Sequence, residues 1–363
     1  MKKLETSSGS VRARALRLGT VAVAATMLVM TLAGPGFAGQ RINVTLTGAG
    51  SSFDNPFFTS AFYTYHATHP TVTANYASVG SSAGITQFQA GTVNFGATDV
   101  PMTSDQLTAA RGATLQVPVA LGGVTLSYHL PGVQRGLHLN SAVVAGIFLG
   151  TIQYWDNPAI RNLNPGVHLT HLKITVVHRS DGSGTTYIFT DYLSHVSSAW
   201  ANGPGTSTTI SWPTGVGEPG NAGVAAVIAQ TSGSIGYVEL AYAVSNHFTY
   251  ARVQNSSGNY ISPGPNSVAS AASAFPNVSA THFSIVNAAG SRSYPISGYS
   301  WMLVYKNQSS ETTGDALAHL AEWLTHQGQA LGKPLLYVPL PASIQALAER
   351  TLKRMVGPSG PFL

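Results

Sequence analysis

Four short stretches of this 363-residue chain combine glycine with hydroxyl residues where an extended segment gives way to a helical one. They are Gly48-Ala49-Gly50-Ser51-Ser52-Phe53, Gly80-Ser81-Ser82-Ala83-Gly84, Ala97-Thr98-Asp99 and Arg179-Ser180-Asp181-Gly182-Ser183-Gly184-Thr185-Thr186. Glycine lets backbone approach a ligand closely. The first N–H groups of a helix lack internal partners and carry a partial positive charge. An oxyanion complements them, and Ser or Thr hydroxyls add donors without net charge. Arg179 offers a planar fork that matches two oxygens of a tetrahedral anion. Asp181, two residues on, is placed to orient that fork. Asp99 is the exception, because a carboxylate repels an anion. It becomes favourable when the anion brings a proton to donate, as phosphate does near neutral pH and sulfate does not.

These turns need alternating strands and helices to hold them. Extended segments are expected at Val72–Val79, Val93–Ala97, Ile174–His178, Ser234–Val238 and Ser300–Tyr305. Gln116–Leu130 is rich in β formers, with Gly122-Gly123 breaking it. Helices are expected at Ser82–Ala90, from a Ser104-Asp105 cap to Arg111, and at Asn140–Leu149, Thr185–Val196 and Asn221–Gln230. Gly314–His326, with Leu317, Leu320 and Leu324 on one face, and Ala342–Met355 complete the set. Asn202–Gly220 and Asn255–Ala280 are rich in Gly, Ser, Thr, Asn and Pro and are expected as long loops. The alternation predicts α/β layers, and no fixed-period repeat is present.

Composition bounds the function. Charged residues are 9% of the chain, against about 25% in an average globular protein. There is no cysteine, which excludes disulfides, thiolate metal sites and a cysteine nucleophile. Lys2, Lys3, Arg12, Arg14 and Arg17 precede the apolar stretch Leu18–Ala33, and Gly34-Pro35-Gly36-Phe37-Ala38-Gly39 follows it. This is the pattern of a cleaved export signal over residues 1–38. Without that segment, 18 basic and 13 acidic residues become 13 and 12, so the net charge drops from +5 to +1. A broad basic field for nucleic acid is then absent. The scarcity of acids suggests an acidic exterior, where carboxylates lose their charge.

The motifs resemble, in order, those of the phosphate-binding protein of the high-affinity phosphate ABC transporter. The resemblance runs from Leu46-Thr47-Gly48-Ala49-Gly50 through Val93-Asn94-Phe95-Gly96-Ala97-Thr98-Asp99, Ile147–Trp155 and the Arg179–Thr185 stretch. It continues through Gly233-Ser234-Ile235-Gly236-Tyr237-Val238-Glu239 to Tyr294-Pro295-Ile296. It implies a two-lobed α/β periplasmic binding protein of type II-like architecture, with phosphate in the interlobe cleft. It further implies phosphate contacts from Ser52, the Phe53 backbone N–H, Ser81, Asp99 as acceptor of the phosphate proton, Arg179, Ser183, Gly184 and Thr185. Two positions depart from the family: Ser52 stands where Thr is common, and Asp54 where Pro is common. Asp54 is therefore expected to face solvent or cap the helix after it. His178 receives no role.

The expected lobes are residues 40–120 with 295–363, and residues 121–294. The expected function is capture of inorganic phosphate by an exported, periplasmic or extracytoplasmic monomer, with delivery to ABC transporter permease subunits. No cofactor, metal, catalysis or nucleic-acid partner is expected. One alternative is a secreted serine hydrolase, because Gly80-Ser81-Ser82-Ala83-Gly84 fits the nucleophile-elbow pattern with Ser82 as nucleophile. No apolar-flanked Asp-His pair stands out to complete it. A binding protein for another oxyanion, arsenate or sulfate, is the other alternative; Asp99 disfavours sulfate.

Overall fold

The computed structural model describes residues 43–133 and 136–363. The export signal expected over residues 1–38 lies outside the described residues.

A nine-stranded sheet organises the chain. Its strands are β1 (Val44–Gly50), β2 (Val72–Ser78), β3 (Phe95–Thr98), β4 (Thr114–His129), β5 (Thr175–Arg179), β6 (Val216–Glu218), β7 (Ser234–Glu239), β8 (Thr249–Tyr250) and β9 (Ser297–Tyr305). The spatial order is β2-β1-β3-β9-β4-β7-β5-β6, with β8 paired to β4. Parallel pairs form both wings: β1 with β2 and β3 on one side, β5 with β6 and β7 on the other. The centre is antiparallel, with β9 between β3 and β4 and β4 against β7. Parallel wings require crossover helices, which the βα alternation supplies. These include α1 (Asn55–Thr68), α2 (Ser81–Gln89), α3 (Gly184–Val196) and α4 (Gly220–Gln230). Helices α5 (Glu311–Thr325) and α6 (Ala342–Leu352) follow the last sheet strand. Leu317, Leu320 and Leu324 of α5 are buried, as the spacing predicts.

β4 joins the wings. Thr114–Gly123 pairs with β9, and Val124–His129 pairs with β7. It is buried along nearly its whole length, so it shows a continuous apolar run in place of alternation. Gly122-Gly123 was expected to break this strand; the strand instead runs through and changes partner there. A Cβ on Gly122 would lie 2.8 Å from the Phe53 ring. The glycine thus serves close packing of β4 against the turn after β1.

Other boundaries also differ. The short helix Ser104–Thr108 is capped by Thr103, whose hydroxyl and Gln106 form a reciprocal capping box. Ser104 and Asp105 lie inside it. The segment expected as a loop from Asn255 to Ala280 contains the strand Tyr260–Ile261 and the helix Pro265–Ser273. Pro265 holds the first helical position, where its missing N–H costs nothing. Val268, Ala271 and Ala272 bury its apolar side.

Candidate anion-binding site

The turns after β1, β3 and β5 and the starts of α2, α3 and α4 meet in one buried region. Ser52 is 2% exposed. Its Oγ accepts from the backbone N–H and from Nδ2 of Asn221, each at 3.0 Å. Ser81 Oγ, at the start of α2, accepts from the Gly184 N–H at 3.0 Å and the Asp99 N–H at 3.4 Å. Thr185 Oγ1 donates to Asp99 Oδ2 at 3.3 Å and accepts from Asn221 Nδ2 at 3.2 Å. Ser82 N–H donates to Gly182 O at 3.0 Å. The β1–β3 wing is thereby tied to the β5–β6 wing across the site. Gly184 has no room for a side chain: a Cβ there would lie 2.5 Å from Asp99 Cβ and 2.7 Å from Ser81 Oγ.

Arg179, at the end of β5, is buried, and among the described residues no other Lys or Arg is. Its Nε and Nη2 donate to the two oxygens of Asp181 at 2.6 and 2.5 Å, the bidentate fork that the Arg-x-Asp spacing suggested. Nη1 is buried without a protein partner among the described residues. Asp181 Oδ1 also accepts from the Gly220 N–H at 3.0 Å. Burial works to raise the Asp181 pKa, but the hydrogen bonds and charge of Arg179, with the Gly220 N–H, outweigh it and hold it below the usual carboxylate value.

Asp99 is 1% exposed. Burial pushes its pKa up to about 6, against the opposing effects of Ser51, Ser300, Arg179 and Thr185. It therefore carries its charge near neutral pH and is surrounded by donors. Ser51, Phe53 and Ser183 act differently from the rest. The Phe53 N–H donates to Ser51 Oγ at 3.0 Å, and Ser183 Oγ caps α3 at the Thr186 N–H at 3.0 Å. The Phe53 ring packs edge-on against Tyr337. His178 stacks on Trp212, away from any role in the cage.

The expectation for Asp54 is overturned. It is fully buried. It occupies the cap position of α1, yet its side chain makes no capping bond. Its Oδ2 instead lies within hydrogen-bonding distance of Ser300 Oγ, at 2.6 Å. Sequence reasoning also missed Asn221 and Ser300. Asn221 lies one residue inside α4 and looks like an ordinary helix start. Ser300 sits beside a register shift in the β9–β4 pairing, and such a shift re-aims a side chain without any sequence signature.

A strand-turn-helix cage between two sheet wings defines a class. A family model described as a PBP superfamily domain matches residues 33–327, and the chain has the α/β, two-lobed architecture of those binding proteins, with the ligand cleft between lobes. Within that class it belongs to the family of phosphate-binding protein PstS. It is 41% identical over 313 residues to the phosphate-binding protein PstS of Xylella fastidiosa (strain 9a5c), covering 85% of each chain. It is 38% identical over 304 residues to that of Haemophilus influenzae, covering 83% of this chain and 90% of the relative. The fold is also similar to the solved phosphate-binding protein of Stenotrophomonas maltophilia, with a TM-score of 0.66 at 19% identity over 85% of this chain and 94% of that one. The high-affinity periplasmic phosphate-binding protein PfluDING, solved bound with phosphate, gives 0.69 at 21% identity, covering 85% and 93%.

Proposed function

We propose that the chain captures inorganic phosphate in this cage and delivers it to the permease of an ABC transporter. The observation that carries the reading is the meeting of unlike donors and an acceptor in one buried place. Arg179 Nη1 is a buried donor without a protein partner among the described residues. Ser52, Ser81, Gly184 and Thr185 converge with it at helix starts. Asp99 stands among them as a charged acceptor. A dehydrated anion needs donors, and Asp99 needs a proton from the ligand. A protonated tetrahedral oxyanion satisfies both, and Asp99 works against sulfate.

The 1–38 segment directs export to the periplasm or its equivalent. The lobes are residues 40–120 with 295–363, and residues 121–294, joined through β4, which changes partner from β9 to β7. The cleft opens to take phosphate as a monomer and closes without chemistry on it. Ser82 Oγ hydrogen bonds Thr208 Oγ1 at 3.3 Å, an arrangement that supports a wing-bridging role over a nucleophile activated by a base.

Titration calorimetry with phosphate and sulfate near neutral pH tests the reading. Tight phosphate binding with little sulfate binding is expected. Asp99→Asn should narrow the gap by about tenfold or more, since one charge-assisted hydrogen bond is at stake. Equal affinity of the unaltered chain for both anions would remove the role given to Asp99.

A further inference from the structure

Behind Asp99 lies a hydrogen-bond chain that phosphate capture alone does not require. Ser300 Oγ is within hydrogen-bonding distance of three acceptors: Asp54 Oδ2 at 2.6 Å, Asp99 Oδ1 at 2.8 Å and Thr98 O at 3.2 Å. A hydroxyl has one hydrogen to donate. Two contacts to carboxyl oxygens below 3 Å need two hydrogens, so one of the carboxyls must supply the second. Were both ionised, one short oxygen–oxygen contact would be bare repulsion between buried groups.

The surroundings decide which carboxyl keeps the proton. Asp99 has Thr185 and the Arg179 charge to favour its ionised form. Asp54 has only Ser300, and its Oδ1 is buried without a partner among the described residues. The groups facing it are Asp99, Glu239 and the hydroxyls of Tyr76, Tyr242 and Tyr337; none is a cation. The start of α1 would favour a carboxylate through its dipole, but the Asp54 side chain makes no bond to that helix end. A buried, ionised carboxylate with one hydrogen bond is strongly disfavoured.

We propose that Asp54 is a positioning residue of the anion site, a neutral carboxylic acid that donates to Ser300 Oγ so that Ser300 donates onward to Asp99. The hydroxyl is thereby aimed at Asp99 Oδ1 and helps hold Asp99 as the charged acceptor. Burial and the nearby Asp99 charge both raise the Asp54 pKa, and Ser300 offsets them only in part. The proton on Asp54 is a property of the protein itself; only its consequence for the ligand rests on the phosphate reading.

Carbon-13 NMR of the side-chain carboxyls in the ligand-free chain tests the proton directly. The chain has seven aspartates, and Asp54→Asn and Asp99→Asn assign the two that matter. At neutral pH the Asp54 carboxyl should resonate as a carboxylic acid and the Asp99 carboxyl as a carboxylate. An ionised Asp54 at that pH overturns the proposal, whatever phosphate does. The second arm uses phosphate titration. Asp54→Ala should weaken binding by about tenfold, the worth of a lost hydrogen bond to a charged acceptor's partner. Asp54→Asn should recover most of that loss, because its amide donates to Ser300 in the same direction as the acid. Equal losses in both variants would overturn the aiming role. If the unaltered chain fails to bind phosphate, the phosphate reading fails, and the NMR arm still decides the state of Asp54.

Discussion

Arg179 and Asp54 are two buried ionisable residues of one site, and the protein handles them in opposite ways. Arg179 is neutralised by Asp181, two residues further along the chain, through two short hydrogen bonds. What remains is Nη1, a buried donor nitrogen without a protein partner among the described residues. Among the described residues Asp54 has no counter-ion, and its side chain bonds only a serine 246 residues away. The first pole is a local ion pair; the second is a proton shared across the sheet. Because Arg179 and Asp181 cancel, the proposed cage would hold its anion with fixed dipoles and a fork, with little net charge. That fits the near-neutral balance of residues 39–363, with 13 basic and 12 acidic side chains, and in the proposed reading it makes selectivity depend on where protons are.

Breaking the local pair should have the largest effect. Arg179→Ala removes the fork and strands Asp181, whose side chain is 18% exposed. Removing one partner of a buried, hydrogen-bonded pair costs about 2–5 kcal/mol, so phosphate affinity in titration calorimetry should fall by about a hundredfold or more. Arg179→Lys should not restore it, because an ammonium cannot hold both Asp181 oxygens in plane and still present a third donor. Full recovery in the lysine variant would show that charge, not the fork, matters at this pole.

A steric change in the centre of the cage should come next. Gly184→Ala puts a methyl 2.5 Å from Asp99 Cβ and 2.7 Å from Ser81 Oγ. Overpacking costs about 1–3 kcal/mol, and here the strain falls on the bridge between the two wings. Affinity should fall by about ten- to a hundredfold. Gly264→Ala is the control, since a Cβ there meets nothing within 4 Å. An unchanged affinity in Gly184→Ala would mean the wings sit further apart in the ligand-bound form.

The contrast between the poles also explains what could be read from the chain. Arg179, Asp181, Ser183 and Gly184 are adjacent in sequence, so their residue types and spacing announced a fork at a helix start. Asp99 was legible because a carboxylate among anion-binding turns needs a reason. The α/β class followed from alternation, and the α5 face from leucine spacing. Asp54 was misjudged because its surroundings come from elsewhere: Ser300 arrives on β9, Tyr337 from beyond α5 and Glu239 from the end of β7. Burial of that kind is set by sheet order, and strand pairings over 200 residues leave no local pattern. Gly122-Gly123 failed for the same reason, as its meaning depends on Phe53 packing across from it. The helix Pro265–Ser273 was hidden by small residues, whose weak apolar periodicity looks like a loop.

The smallest expected effect separates the poles by pH. The Asp99 pKa in the folded protein is raised from 3.8 to about 6, chiefly by burial, so the folded state holds a proton that the unfolded chain has released. The stability due to this group is complete below about pH 4 and is lost as pH rises through 6. Asp54 and Glu239 act in the same direction at higher pH, since burial raises both well above their ordinary values. Asp181 has the opposite sign, and its contribution is lost only as pH falls below the ordinary carboxylate range. His138 and His178, lowered by burial, also oppose, because acid protonates them more readily in the unfolded chain. Comparison with Asp99→Asn isolates the acid pole from these. In phosphate-free urea titrations, lowering the pH from 7 to 4.5 should stabilise the unaltered chain by about 1–3 kcal/mol more than the variant. Phosphate must be absent, because a bound ligand adds its own stabilisation and hides the difference. Parallel pH profiles would mean that Asp99 holds no excess proton in the folded state, and the contrast between a paired pole and a protonated one would then rest on Asp54 and Ser300 alone.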